Sequence, residues 1–202
     1  AKRSVSLSLS LNQLMSSIER YSTYSKLKKL ALMVISYKSN SGDIRALRKS
    51  FCLIDKHKDG TITPDELREA LAPLAFFDTD VERLFKGMDV DRTGHVNYTE
   101  FLAATIEALG PIEEARLAEA FDRLDSDDSG FISVKNLREL FAGELPDKKL
   151  KSILAEVHVN NEHKIYYKDF LLLWDKTDQE SSDGSITSTE LVEDIASFTR
   201  SE

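Results

Sequence analysis

A chain of 202 residues and 22.8 kDa, 41% hydrophobic and 31% charged, is enough for one large domain or two small ones with a charged surface. Its single cysteine, Cys52, excludes a disulfide framework and fits a reducing compartment, and its longest apolar run, Leu30 to Ile35, is too short to span a bilayer. A net charge of −8 excludes the dominant positive surface that nucleic acid requires.

The amino-terminal stretch Ala1-Lys2-Arg3-Ser4 has no signal-peptide apolar core, which points to the cytoplasm. A first residue that is not Met fits a piece of a longer chain, and any membrane association would then rest on an amino terminus outside this sequence. Charge is uneven. Residues 1–40 carry Lys2, Arg3, Arg20, Lys26, Lys28, Lys29 and Lys38 against Glu19, a net of +6, which leaves −14 for the remainder. In this arm Leu7, Leu11, Leu14, Ile18 and Tyr21, then Leu27, Leu30, Val34 and Tyr37, recur at steps of three and four. No Gly or Pro occurs before Gly42, so one helix over residues 7–37 is expected. It would be about 45 Å long at the usual rise. Its second half, Lys26 to Ile35, is basic and amphipathic. That pattern suits a helix-binding groove, a membrane surface or a coiled-coil seam. The acidic remainder of the same chain is at the highest effective concentration, so docking within the chain is the preferred reading.

The remainder repeats. Four twelve-residue loops, Asp55–Glu66, Asp89–Glu100, Asp125–Asn136 and His158–Asp169, lie in register, each between apolar helical stretches. Their sixth positions, Gly60, Gly94, Gly130 and His163, are 34, 36 and 33 residues apart. Their eighth positions, Ile62, Val96, Ile132 and Ile165, are aliphatic. Calcium takes six to eight oxygens at loop positions 1, 3, 5, 7 (a backbone carbonyl), 9 and 12, and a glycine at position 6 makes the sharp turn. The match to D-x-[DN]-x-[DN]-G-x₅-E is specific, and these are EF-hand loops by that motif. The implied fold class is all-α and calmodulin-like, two lobes of paired EF-hands preceded by a long amphipathic helix. The expected divisions are an arm over 1–40, lobes over 43–109 and 112–176 separated at Gly110-Pro111, and an acidic Ser/Thr-rich tail over 177–202. Position 8 should pair Ile62 with Val96, and Ile132 with Ile165.

The loops differ in donors. The second is the most complete, with Asp89, Asp91, Thr93, the carbonyl of His95, Asn97 and Glu100. The first offers Asp55, Asp59, Thr61 and Glu66, but His57 presents nitrogen at position 3, so weaker binding is expected. The third offers Asp125, Asp127, Ser129 and the carbonyl of Phe131, but Asn136 removes the carboxylate from position 12. That leaves a weaker calcium site or one for magnesium. The fourth, with His158, His163 and Tyr166, reads as a structural partner rather than a site. Two to three calcium ions are expected in all. His158 and His163 lack the further ligands a zinc site needs. Asn97-Tyr98-Thr99 matches a glycosylation triplet but reads better as loop chemistry. Cys52 reads as a small core residue on an entering helix. Gln179–Glu190 partly repeats the loop register, but its poor first position and short spacing make this a coincidence.

A basic helix followed directly by four such units resembles the carboxy-terminal regulatory region of the calcium-dependent protein kinases of plants and protists. Lys26-Leu27-Lys28-Lys29-Leu30-Ala31-Leu32-Met33-Val34-Ile35 is similar to that family's junction, and Phe51-Cys52-Leu53-Ile54-Asp55 to its entry into the first loop. The resemblance implies a calcium-sensing regulatory domain in which ion binding reorganises the basic helix and relieves autoinhibition of a serine/threonine kinase domain. No Gly-rich phosphate loop, H-R-D or D-F-G occurs here, so no catalytic residue is assigned and the fragment itself is not read as an enzyme. The implied partners are that kinase domain and the chain's own basic helix, with lobe exchange into a homodimer as an open alternative. Two rival readings are a stand-alone calmodulin- or troponin-like sensor, which would leave its groove free for foreign helices, and a calcium buffer, which would change shape little on loading.

Overall fold

The structure is a computed structural model and describes residues 9–74, 77–143, 145–157 and 163–175. The arm forms α1 (Leu11–Thr23) and α2 (Lys26–Lys38). Four helix–loop–helix units follow. The first two are built from α3 (Arg45–Ile54), β1 (Thr61–Ile62), α4 (Pro64–Leu71), α5 (Asp78–Met88), β2 (Val96–Asn97) and α6 (Tyr98–Thr105). The other two use α7 (Glu114–Leu124), β3 (Phe131–Ile132), α8 (Val134–Leu140), α9 (Asp147–Ala155), β4 (Ile165–Tyr166) and α10 (Tyr167–Leu171). The class is all-α; each strand is only two residues long and lies inside a loop. The loops pair antiparallel, Ile62 opposite Val96 and Ile132 opposite Ile165, and all four of these side chains are buried.

The chain forms two compact units. One contains the described residues up to Tyr24 together with Ile35–Ile112; the other contains Ser25–Val34 and the described residues from Glu113 onward. In the first unit Phe51 meets Tyr98 and Phe101 edge-on, with centroids 5.1 and 5.4 Å apart. In the second, Phe121 meets Tyr167 and Phe170 in the same way at 5.2 and 5.5 Å. The repeat in sequence is therefore a repeat in core packing. Gly110 has φ 133° and ψ −179°, a region only glycine occupies readily, and it ends the 3₁₀ turn Ile106–Leu109.

The arm is not the continuous helix that its periodicity suggests. It breaks at Tyr24, which is extended at φ −69° and ψ 149°. The cause lies in four consecutive residues. The Ser22 and Thr23 hydroxyls donate to the carbonyls of Glu19 and Arg20, at 2.6 and 2.7 Å, competing for the last turn of α1. The Ser25 hydroxyl accepts from Lys28 N–H at 3.3 Å and so caps α2. Ser10 and Gln13 form a capping box that starts α1.

The first segment, α1, packs on α5, α6 and the Ile106–Leu109 turn. It buries Leu14, Met15, Ser17, Ile18 and Tyr21, and the Ser17 hydroxyl donates to the Ala104 carbonyl at 3.0 Å. The second segment departs further from expectation. Residues 30–36 of α2 are all buried, so it lacks the single apolar stripe of a surface helix. Even Lys28 is buried, while the anticipated seam residue Tyr37 is 58% exposed. Cys52 is also corrected: it is exposed, not in the core. On α3 the inward residues are Leu47, Phe51 and Ile54, and Cys52 is turned about 100° from Phe51, onto the outer face.

Candidate metal centres

Loop 2 brings three carboxylates together. Asp89 and Asp91 follow directly on the end of α5, and Glu100 stands in the first turn of α6. All three are buried, and one oxygen from each lies within 4.8 Å of the others. Two ligands of one calcium ion, each about 2.3–2.6 Å from it, are at most about 5.2 Å apart. The trio therefore fits a calcium-sized cation as it stands. The loop is preformed by its own backbone. Asp89 accepts from Thr93 N–H (3.1 Å) and Gly94 N–H (3.0 Å), and Gly94 takes φ 78° to allow this. Glu100 Oε1 accepts from Val90 N–H (2.7 Å) and Asp91 N–H (3.1 Å), and Oε2 from Asn97 N–H (2.9 Å). The Asn97 side chain caps α6 by accepting from Glu100 N–H at 3.0 Å. The His95 carbonyl accepts from the Thr93 hydroxyl at 2.9 Å.

The electrostatics of loop 2 favour a cation. Burial pushes the Glu100 carboxyl up to about 8, and the Asp91 charge adds to the shift although three backbone N–H groups oppose it. Burial and the same neighbour also raise Asp89, against the Gly94 N–H. Three acidic groups are gathered here, and a divalent ion would supply the charge that lets all three ionise.

Loop 1 shares the framework but not the trio. Asp55 accepts from Asp59 and Gly60 N–H at 3.3 and 3.1 Å. Asp59 accepts from Thr61 N–H and hydroxyl at 3.0 and 2.9 Å, which lowers its pKa. Glu66 Oε1 lies 2.8 Å from His57 Nδ1 and also accepts from Lys56 and His57 N–H. Burial raises the Glu66 carboxyl, but donors from Thr63 and His57 outweigh it and hold the group at about 2. Position 3 thus brings a nitrogen donor onto the closing carboxylate where loop 2 has a third carboxylate.

In loop 3 Asp125 repeats the Asp89 pattern, accepting from Ser129 N–H (3.1 Å) and Gly130 N–H (2.7 Å). Asp127, however, is held by Lys135 and Asn136, and the Ser129 hydroxyl reaches the Phe131 carbonyl at 3.1 Å. In loop 4 His163 takes the left-handed φ of 51° where the other loops have glycine. His158 and the 177–202 tail lie outside the described residues.

A family model described as "EF-hand domain pair" matches residues 44–106 and 114–175. The chain belongs to the EF-hand family. Among curated relatives of this EF-hand chain, calcium-dependent protein kinase 9 of Arabidopsis thaliana and calcium-dependent protein kinase 19 of Oryza sativa subsp. japonica are each 34% identical over 160 residues. Calcium-dependent protein kinase 19 of Arabidopsis thaliana is 35% identical over 162 residues. Each match covers 77% of this chain, but the chain spans only about a third of the relatives' length, 30%, 30% and 29% respectively.

Of the donors expected from spacing, Asp89, Asp91 and Glu100 are brought together, and two features of the loops were missed. One is the His57–Glu66 contact; the other is the engagement of Asp127 by Lys135. Lys135 is at position 11, where the motif accepts any residue, so only its charge next to the missing position-12 carboxylate signalled it.

Proposed function

We propose that this chain is the calcium-sensing regulatory region of a calcium-dependent protein kinase, with loops 1 and 2 as its ion sites. One observation carries the mechanism: α1 rests on α5 and α6, the two helices that loop 2 joins. Glu100 ties the loop start to the α6 N-terminus through Val90, Asp91 and Asn97 N–H groups. Drawing Asp89, Asp91 and Glu100 inward therefore changes the angle between the helices that support α1. When bound, calcium supplies the positive charge that these carboxylates lack.

The proposed ligands are Asp89, Asp91, Thr93, the His95 carbonyl and Glu100 in loop 2, and Asp55, Asp59, Thr61 and Glu66 in loop 1. Moving a two-state switch from 1:99 to 99:1 takes about 5.5 kcal/mol of differential binding. One ligand typically contributes about 1–3 kcal/mol of coupling. Two loops joined through the Ile62–Val96 pair meet that demand better than one. The kinase relatives supply the rest of the reading: the released or reoriented arm would act on an attached catalytic domain.

Hydrogen exchange of α1 amides, measured with calcium and with chelator, tests the scheme. Calcium should alter protection across Leu14–Tyr21, and Asp55→Ala with Asp89→Ala should abolish that change. An undiminished response in the double variant would refute it.

A further inference from the structure

The third loop departs from the calcium pattern in a way that goes beyond its missing carboxylate. Asp127, its position-3 ligand, has both oxygens occupied. Lys135 Nζ donates to Oδ2 at 2.8 Å, and Asn136 Nδ2 donates to Oδ1 at 3.0 Å. The same amide reaches the Ser126 hydroxyl at 3.2 Å, while Asn136 Oδ1 accepts from Ser133 N–H (2.8 Å) and hydroxyl (2.6 Å). Lys135 also stands 3.9 Å from Glu139. Positions 11 and 12 thus deliver an ammonium and an amide donor to the carboxylate that would otherwise face an ion.

We infer that loop 3 is closed by an internal cation surrogate, the Lys135 ammonium assisted by the Asn136 amide, and takes no calcium. The residues do not fit the ion that the motif implies. Asn136 is nearly fully buried and already satisfied at both ends of its amide, so its N–H₂ points at Asp127 while its oxygen caps α8. Turning the oxygen inward would sacrifice the cap. The ligand positions agree: in loop 2 they carry Asp89, Asp91 and Glu100, whereas in loop 3 they carry Asp125 and Asp127, with the Lys135 ammonium on Asp127. Calcium would have to displace a covalently tethered cation to gain a shell with two carboxylates.

This inference goes beyond the first-unit sensing proposed above and does not depend on it. It makes the fold of loop 3 independent of the ion. The full chain carrying Glu66→Gln and Glu100→Gln, which removes the closing carboxylates of loops 1 and 2, isolates the question. Calorimetric titration of that variant should show no calcium bound at up to about 1 mM, the weak end of the EF-hand range. Its melting, followed by Trp174, the chain's single tryptophan and a member of the second unit, should be the same in calcium and in chelator.

Adding Lys135→Met and Asn136→Glu should restore one ion per chain and make that melting transition rise with calcium. An ion bound by the Glu66→Gln, Glu100→Gln chain and lost on Asp125→Asn would overturn the surrogate. Should that background fail to fold, the wild-type chain and its Lys135→Met, Asn136→Glu variant are compared directly. One extra calcium in the variant supports the inference, and equal stoichiometry overturns it. Neither outcome bears on whether α1 responds to loops 1 and 2.

Discussion

Glu66 and Glu100 occupy the same loop position, share the same capping role and titrate in opposite directions, about 2 against about 8. Both side chains are buried and accept from the backbone. Burial is the main cause of the Glu100 rise and donors from Thr63 and His57 hold Glu66 down; position 3 adds to the difference, since Glu66 meets a His57 donor and Glu100 the Asp91 charge. The consequences for stability have opposite signs. Glu100 is raised above the ordinary glutamate value of 4.5, so its contribution is full below that pH and is lost as pH rises towards about 8. Glu66 is depressed, so its contribution is present above 4.5 and is lost as pH falls towards about 2. Melting in chelator should therefore show a destabilisation of the first unit between pH 5 and pH 8 that disappears in Glu100→Gln. At pH 7 calcium binding should expel a proton from Glu100, seen as a calorimetric enthalpy that depends on buffer ionisation. Loss of the position-12 charge in Glu100→Gln should weaken calcium binding at loop 2 on the order of 100-fold, by titration calorimetry.

Among the helices, α1 and α5 make an unusually close approach. A Cβ on Gly87 would lie 2.8 Å from Ser22 Cβ and 3.2 Å from Ser22 Cα, inside the contact distance of real side chains. Arg83 Nη1 approaches the Ser22 hydroxyl at 3.4 Å on the same contact. Gly87→Val should force α1 away at a cost of about 1–3 kcal/mol, read as a lower melting temperature and faster exchange in α1. Ser22→Gly in the same chain should recover part of the loss. The register of the loops was legible because metal chemistry prescribes oxygen positions one by one, and Ile62, Val96, Ile132 and Ile165 follow from it. The break in the arm was also written there, in Ser22-Thr23-Tyr24-Ser25, but the apolar steps run through these residues unbroken. Periodicity reports which face is buried; it does not report a hydroxyl competing for a carbonyl.

Over the whole molecule, both units follow one plan: a paired loop, a phenylalanine between two aromatics, and a segment of the arm filling the interior. In the second unit Lys26 meets Glu156 at 2.9 Å, Glu156 also accepts from Lys26 N–H, and Lys28 Nζ lies 5.2 Å from the Trp174 ring centroid. Burial pushes Lys29 down to about 8, with Glu156 acting against the shift. Lys28 and Lys29 of the basic segment are therefore largely enclosed, a fact set by tertiary packing that no local pattern contains. The arm thus behaves as core. Leu32→Ala should cost about 2–5 kcal/mol and lower the melting temperature by at least about 4 °C, where a loosely docked helix would tolerate it. The outward turn of Cys52 has a practical corollary. The chain's one thiol projects from α3 without a part in the interior, so a maleimide dye attaches at a single defined place. Resonance energy transfer from the lone indole to that dye would then give a ruler for ion-driven rearrangement in an otherwise unaltered chain.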